Sequence, residues 1–283
     1  MMARNEDKVV VEAIGLTKIY GNGVQVRALD DVNFRIHAAE FVAVMGPSGS
    51  GKSTLLNMIG ALDRPTSGKA IVDGCDIGSL RDLDGFRART VGFVFQLHNL
   101  IPTLTAIENV EVPMRGQALS ERAQRRRAEE LLGLVGLQPR SHHLPGQLSG
   151  GQRQKVAIAR ALANNPSVIL ADEPTGNLDS ASGDEVMNVF EQLHSTHGTT
   201  IIIVTHDPAV ARRTHRILMM QDGRIVQEDL VGDAYTEDLK VLARSELGQA
   251  ILADGTPDTL SAGERETMRR MLARVVEQGQ VRT

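Results

Sequence analysis

Short apolar runs alternate with longer amphipathic segments along most of the chain. Four of these runs are rich in β-branched or aromatic residues and do not alternate with polar ones: Phe41–Met45, Val91–Phe95 and residues 168–171 and 200–205. Continuous apolar runs of this length are typical of strands buried on both faces of a parallel sheet. Because helical stretches lie between them, the pattern predicts an α/β fold with crossover connections.

A different pattern occupies the N-terminal part of the chain. Residues 9–16, 32–36 and 69–72 predict an antiparallel sheet beside the parallel one, with a turn at residues 21–23. Residues 217–226 predict a closing hairpin around an Asp-Gly turn. Between these parts, residues 97–162 have a mostly helical pattern.

Two regions of the chain have an uneven charge, one basic and one acidic. The basic run at residues 125–127 is interpreted as a solvated helix face. Residues 229–283 contain ten acidic and seven basic residues, and thus carry −3 of the total formal charge of −4. A capping-box pattern begins at Ser261, and apolar residues at helical spacing follow from Met268 to Val276. We therefore predict two or three helices appended to a core of residues 1–228.

Composition excludes several functional classes. The net charge of −4 and the aromatic content of 3% argue against a protein that binds nucleic acid directly. One cysteine, Cys75, excludes an internal disulfide framework and a cysteine-rich metal site. No apolar run approaches the roughly 20 residues that cross a bilayer, and the first residues lack the apolar core of a signal peptide. We expect a cytosolic protein that reaches a membrane only through a partner.

A glycine-rich loop follows the run Phe41–Met45 and precedes a helical stretch. This phosphate loop, residues 46–53, fits the pattern G-x-x-x-x-G-K-S/T, in which backbone N–H groups at a helix N-terminus bind phosphate oxygens. Lys52 is expected to reach the β- and γ-phosphates and Ser53 to ligate Mg²⁺. The predicted nucleotide-binding residues are Gly46, Pro47, Ser48, Gly49, Ser50, Gly51, Lys52, Ser53 and Thr54.

Two acidic residues, Asp172 and Glu173, end the apolar run at residues 168–171. Adjacent carboxylates at the end of a buried strand are costly unless they have a use. Taken alone, the pair fits a solvated strand end as well. Downstream of a phosphate loop, Asp172 is expected to hold Mg²⁺, directly or through water. Glu173 is expected to orient or deprotonate the attacking water.

A third motif, the signature loop, reads Leu-Ser-Gly-Gly-Gln at residues 148–152 and precedes another helical run. By its chemistry alone it fits an anion-binding helix N-terminus or an ordinary cap. With the phosphate loop before it and the acidic strand after it, the chain from residue 9 to residue 228 resembles the ATP-binding subunit of an ABC transporter. The resemblance implies a P-loop NTPase fold of the ABC ATPase type. That fold has a RecA-like parallel core, an antiparallel β subdomain and a helical signature subdomain at about residues 97–162, to which a C-terminal helical extension is added here.

The resemblance also implies a dimeric ATP site with Mg²⁺. Two copies would dimerise head to tail, with each ATP between the phosphate loop of one subunit and the signature loop of the other. Asp179 lies in a loop that would cross to the second subunit. Tyr20 would stack on adenine, Gln96 would sense Mg²⁺ and the water, and His206 would contact the γ-phosphate. The implied catalytic residues are Lys52, Gln96, Glu173 and His206, the Mg²⁺ ligands are Ser53, Gln96 and Asp172, and the signature contacts are Ser149, Gly150, Gly151 and Gln152.

Longer stretches, at residues 58–68, 95–110 and 172–179, are similar to the branch of macrolide-efflux (MacB-type), lipoprotein-release and cell-division ATPases. This branch implies a separate four-helix membrane subunit with a large extracytoplasmic domain, which would dock near residues 97–103. The chain would then lie on the inner face of the membrane and drive export or mechanical transmission. Residues 229–283 depart from the compact members of the branch.

Three alternative functions compete with this interpretation. The ATPase of a small-molecule importer keeps the same chemistry and stays open. A soluble ABC protein acting on nucleic acid or ribosomes is disfavoured, since no sustained heptads separate Lys52 from Leu148 and only one ATP-binding unit is present. A nucleotide sensor that does not hydrolyse is disfavoured by the intact Glu173 and His206.

Overall fold

Two sheets organise the protein, one antiparallel and one mostly parallel. The computed structural model describes residues 8–21, 23–232, 239, 242–243, 245–253 and 262–279. The antiparallel sheet has the order β2-β1-β4-β5. Its strands are β1 (Val9–Tyr20), β2 (Val26–His37), β4 (Ser67–Val72) and β5 (Cys75–Asp76).

The second sheet has six strands in the order β10-β9-β3-β8-β7-β6. All of its neighbours pair in parallel except β9 and β10, which form the closing hairpin. The carboxyl ends of the parallel strands therefore meet at one edge of the sheet. The strands are β3 (Phe41–Met45), β6 (Val91–Phe95), β7 (Val168–Asp172), β8 (Ile201–Thr205), β9 (Arg216–Gln221) and β10 (Arg224–Leu230).

Helices connect the parallel strands, and polar side chains fix where several of them begin. Capping boxes at Thr105 and Ser149 satisfy backbone N–H groups at two helix starts. Asp179 caps a third by accepting from the N–H of Ser182. The helices are α1 (Lys52–Ile59), α2 (Leu83–Thr90), α3 (Ala106–Glu111), α4 (Glu121–Leu134), α5 (Gly150–Ala161), α6 (Ser180–His197), α7 (Pro208–Ala211), α8 (Glu246–Leu252) and α9 (Ala262–Gly279).

The central strands are buried on both faces, as their continuous apolar runs predict. In β8, Ile201 and Ile203 pack in one core cluster with the α3–α6 layer, whereas Ile202 and Val204 pack in another with α1 and the antiparallel sheet. Alternate residues of a strand point to opposite faces, so one short run fills two core layers. The predicted α/β fold, with an antiparallel sheet beside the parallel one, is confirmed.

The observed elements extend some predictions and correct one. The strands β1 and β2 run to Tyr20 and from Val26, well beyond the predicted residues 9–16 and 32–36, because they pair with each other through several register shifts. The basic run was expected to be a solvated face, but only Arg126 is exposed. Arg125 pairs with Glu111, and Arg127 donates to Asn165 at 2.5 Å, so both bind neighbouring elements.

The C-terminal part contains two described helices, α8 and α9, within the predicted two or three. Ala243, Ile251 and Leu272 form a small apolar cluster that joins them. Ser261, where the capping box was predicted, lies outside the described residues, and β10 extends to Leu230. The division at residue 228 stays a prediction. In the part of the chain that the structure describes, no helix combines the length and apolar character needed to cross a bilayer.

Candidate functional site

The phosphate loop joins the carboxyl end of β3 to the first turn of α1. Three of its glycines have positive φ: Gly46 (155°), Gly49 (79°) and Gly51 (101°). A Cβ atom on Gly46 would overlap the carbonyl oxygen of Met220, and one on Gly51 would overlap that of Ala28. Glycine is therefore required at both positions by contact as well as by φ, and the loop leaves room along its exposed side.

Two polar side chains of the loop are held inside it. Lys52 is 9% exposed, and its Nζ donates to the carbonyl oxygens of Gly46 at 2.7 Å and Pro47 at 2.9 Å. The Oγ of Ser50 is buried and has no hydrogen-bond partner among the described residues. A buried hydroxyl without a partner is rare in native structures and fits a loop built for a ligand.

Two acidic residues and a histidine end neighbouring strands at the same edge. Asp172 ends β7, and Glu173 follows it with φ of 46°, which is unusual for a residue with a Cβ. His206 follows β8, whose last residue, Thr205, pairs with Met45 at the end of β3. The Nδ1 of His206 lies 2.8 Å from Oε1 of Glu173. Glu173 thus combines a left-handed backbone with a direct contact between its carboxylate and the imidazole of His206.

Burial and two neighbouring charges shift the pKa of the Asp172 carboxyl. Desolvation raises the pKa of its carboxyl, and the negative charge of Glu173 raises it further, while the positive charge of Lys52 lowers it. Perturbed carboxylates in a cleft mark candidate functional sites. The ionised form of Asp172 would gain from an added cation in this cleft.

A cavity of about 580 Å³ joins these groups. It contains residues from the phosphate loop, both acidic residues and His206, so residues far apart in sequence meet at one place. One wall comes from the start of β2, which sequence reasoning missed because no local motif marks it. The lining residues are Val26, Arg27, Ala28, Ser48, Gly49, Gly51, Lys52, Ser53, Thr54, Asp172, Glu173, Val204 and His206.

Two of the predicted residues lie beside this cavity without lining it. The hydroxyl of Tyr20 donates to Asp63 at 3.1 Å, and Lys18 Nζ lies 4.9 Å from the centre of its ring. Tyr20 pairs with Val26, which lines the cavity. Gln96 follows β6, and its Nε2 donates to Oδ1 of Asn177 at 3.4 Å.

The signature loop also lies outside the cavity. Ser149 caps α5, and its Oγ accepts from the N–H of Gln152 at 3.2 Å. A Cβ on Gly150 would approach Leu178 to 2.9 Å, and one on Gly151 would approach Ser182 to 3.1 Å. The glycines therefore let α5 begin close to the first turn of α6, which Asp179 caps. A single chain does not bring its signature loop to its own phosphate loop.

The residues present suit a magnesium nucleotide. Mg²⁺ prefers oxygen ligands and is usually held by one or two protein oxygens together with phosphates and water. Ser53 and Asp172 supply a hydroxyl and a carboxylate to the same cavity. The phosphate loop supplies N–H groups at the start of α1, where the helix dipole favours negative charge.

The parallel sheet, the phosphate loop and the acidic strand end define a P-loop nucleoside triphosphatase. The family model described as ABC transporter matches residues 29–176, more than half of the chain. The chain belongs to the ABC transporter family, and it carries that family's ATP-binding domain.

Individual relatives agree with this assignment. A Thermotoga maritima protein described as an uncharacterized ABC transporter ATP-binding protein is 51% identical over 231 residues, 81% of this chain and 98% of that protein. The macrolide export ATP-binding/permease protein MacB of Hyphomonas neptunium is 50% identical over 234 residues, 81% of this chain. The match covers 36% of that MacB, so this chain spans about a third of its length.

A solved relative has the same fold. The ATP-binding cassette MJ0796, from Methanocaldococcus jannaschii, was solved as a dimer in a post-hydrolysis state bound to ADP and Pi. The two structures align with a TM-score of 0.72 at 47% sequence identity. The alignment covers 78% of this chain and 99% of the MJ0796 chain. The chain is therefore an ABC ATPase that uses ATP with Mg²⁺.

Proposed function

We propose that this chain is the ATPase subunit of a membrane transporter complex and works as a head-to-tail dimer. The observation that carries the proposal is the distribution of the motifs over the structure. Lys52, Asp172, Glu173 and His206 surround one cavity, whereas Ser149 and its neighbours cap α5 outside it. A second copy would bring its signature loop to that cavity and complete the site.

The proposed roles follow from position and chemistry. Lys52 and the loop N–H groups bind the β- and γ-phosphates, and Ser53 and Asp172 hold Mg²⁺ with help from Gln96. Glu173 accepts the proton of the attacking water. His206 lies 2.8 Å from Glu173, orients its carboxylate and contacts the γ-phosphate.

The nucleotide base and the dimer contacts complete the proposal. Tyr20 provides the ring on which adenine stacks, and its hydroxyl donates to Asp63. Asp179 lies at the start of α6 beside the signature loop, where it would meet the partner copy. Binding of ATP closes the dimer and hydrolysis reopens it, which is a population shift driven by ligand.

A separate membrane subunit of the MacB or FtsX type is the proposed partner, with export or mechanical transmission as the output. Similarity to ATP-binding/permease proteins over about a third of their length supports it. The proposed docking surface is the segment after Gln96, where Leu97 is 73% exposed and Ile101 is 40% exposed. Beside it lies a cavity of about 290 Å³ against Phe93 and Phe95. The protein would thus lie at the inner face of the membrane.

The test uses Glu173→Gln, which should bind ATP and trap the closed dimer. In sedimentation experiments the variant should dimerise with ATP and Mg²⁺ but stay monomeric with ADP. Glu12→Gln is the matched control, because Glu12 pairs with Arg35 on the antiparallel sheet and does not line the cavity. If Glu173→Gln turned over ATP like the control, the base assignment would be wrong.

The same trapped variant identifies the partner when it is purified gently from native membranes. A four-helix subunit with a large external domain, identified by mass, is the expected companion. A subunit with five or more spans would move the protein to a conventional importer or exporter. Ribosomes or nucleic acid as the companion would contradict the membrane assignment.

A further inference from the structure

The segment that contains Gln96, residues 95–99, has a strained backbone. His98 and Asn99 have φ of 62° and 50°, so two adjacent residues with side chains are both left-handed. Such residues persist only where surrounding contacts offset the strain. The contacts that hold this segment therefore decide its shape.

Those contacts come from α5, the helix that begins at the signature loop. Arg160 donates through Nη1 to the carbonyl oxygen of Asn99 at 2.5 Å and through Nη2 to that of His98 at 2.7 Å. Gln154, which is fully buried, donates to the carbonyl oxygen of Phe95 at 3.3 Å. One helix thus binds the backbone of the segment on both sides of Gln96.

The environment of Arg160 makes these two bonds unusual. Burial lowers the pKa of its guanidinium, and among the described residues no carboxylate forms an ion pair with it. Desolvated cations in proteins are normally paired with an anion. Here the carbonyl oxygens of two left-handed residues take that place, so the guanidinium and the strained turn depend on each other.

His98 also contacts the other end of α5. Its ring approaches the backbone of Gly150 in the first turn of α5 and lies near the guanidinium of Arg153. Its Nε2 is buried without a hydrogen-bond partner among the described residues. The imidazole thus lies against the first turn of the signature helix, and the segment is fixed to both ends of α5.

We propose that Arg160 is a positioning residue that fixes Gln96 relative to the signature helix by holding His98 and Asn99 in the left-handed conformation. The inference rests on the role proposed above for Gln96, and it adds a residue that does not line the nucleotide cavity. Without Arg160, the segment would relax toward the right-handed or extended backbone and turn the side chain of Gln96 away from the metal and water.

A double-mutant cycle between Arg160→Met and Gln96→Ala tests this coupling. Arg160→Met should lower kcat on the order of tenfold with little change in the KM for ATP, because Arg160 positions Gln96 but does not line the cavity that binds the nucleotide. In the Gln96→Ala background the same change should lower kcat by less than about twofold. Arg160→Met should also weaken Mg²⁺ binding to the ATP-bound protein, measured by calorimetric titration in the non-hydrolysing Glu173→Gln background, which a general loss of stability would not do.

Matched variants separate positioning from folding. Arg87→Met removes another arginine that donates to a backbone carbonyl, that of Ala61 at 2.9 Å, and should leave kcat unchanged. Asn99→Gly accepts the left-handed backbone without help, so it should restore part of the activity lost in Arg160→Met. If Arg160→Met does not fold, Arg160→Lys keeps the charge but loses the two-pronged contact, and the same cycle is run with it.

The outcomes for the two proposals differ. Equal losses of kcat from the Arg160 variant in both backgrounds would overturn the inference and leave the role of Gln96 intact. Wild-type kcat in Gln96→Ala alone would instead refute the proposed role of Gln96, and the inference would fall with it. A loss that Asn99→Gly does not relieve would show that strain in the turn is not what Arg160 holds.

Discussion

The phosphate loop offers a matched pair of substitutions, Gly49→Ala and Gly51→Ala. Both glycines lie in the left-handed region, with φ of 79° and 101°. They differ in their surroundings, since a Cβ on Gly49 would meet nothing within 4 Å, whereas one on Gly51 would overlap the carbonyl oxygen of Ala28 and approach Leu29 to 3.2 Å. The pair therefore separates two contributions to the free energy of unfolding: the strain of a left-handed backbone and the overlap of a Cβ with neighbouring atoms.

The expected losses of stability follow from the backbone strain and, for Gly51, from the close approach. A left-handed backbone costs alanine about 1–2 kcal/mol, and the loss of glycine's freedom in the unfolded chain returns about 0.4–1 kcal/mol. Gly49→Ala should therefore destabilise the nucleotide-free protein by about 0–1.6 kcal/mol. Gly51→Ala adds an overlap with the backbone of β2, and overpacking of this kind costs about 1–3 kcal/mol more.

Urea unfolding of the nucleotide-free variants measures these differences. Far-UV circular dichroism is the suitable probe, since the chain contains no tryptophan. Gly51→Ala should unfold at clearly lower urea than Gly49→Ala, with similar slopes for both. Equal stabilities for the two variants would refute the assignment of close approach to Gly51, and so would a Gly51→Ala protein as stable as the wild type.

Three further substitutions address the chemistry of the cavity. Lys52→Ala should weaken ATP binding or abolish turnover, and wild-type values in a nucleotide titration and an ATPase assay would contradict the assignment of the loop. His206→Ala should lower kcat by about 10²-fold, because Glu173 loses the group 2.8 Å away that orients it; an unchanged kcat would exclude that role. Folding raises the pKa of Asp172, so ionisation of this carboxyl costs stability: the cost sets in as the pH rises above the unfolded pKa, is complete above the raised folded pKa, and is absent when the carboxyl is protonated in both states. Asp172→Asn should therefore stabilise the nucleotide-free protein against urea at neutral pH, by a margin that vanishes in acid. The same variant should lose Mg²⁺-dependent hydrolysis. A variant less stable than the wild type at neutral pH would contradict the raised pKa of Asp172.

The parts of the fold that sequence predicts best are those whose pattern is local. Phe41–Met45 and Val91–Phe95 were predicted with the bounds that the structure has, because a continuous apolar run leaves few other solutions for a short segment. The strand β2 was predicted only in part, since its first half has no regular alternation of apolar and polar residues and is held by pairing with β1. The basic run is only partly a solvated face for the same reason, because the contact of Arg127 with Asn165 spans 38 positions in the sequence.

The residues of the candidate site also fall into two groups, those marked by a local motif and those brought in by tertiary packing. Lys52, Asp172 and Glu173 are marked by motifs because phosphate binding and a strand end each impose a local pattern. The wall formed by Arg27 and Ala28 carries no such mark, since it reaches the cavity only when the antiparallel sheet packs against the phosphate loop. Arg160 was missed for a related reason, because its importance depends on a left-handed turn about 60 residues earlier in the chain.

Mixing two inactive variants tests the composite site most directly. Lys52→Ala lacks the phosphate-binding cation, and Ser149→Arg blocks the signature loop while leaving ATP binding to the monomer intact. In a mixed head-to-tail dimer, one site combines the intact phosphate loop of one subunit with the intact signature loop of the other. If sites act independently, an equimolar mixture should recover roughly a quarter of the wild-type ATPase activity from two nearly inactive preparations. A mixture no more active than its separate components would contradict a site shared between two copies of this chain.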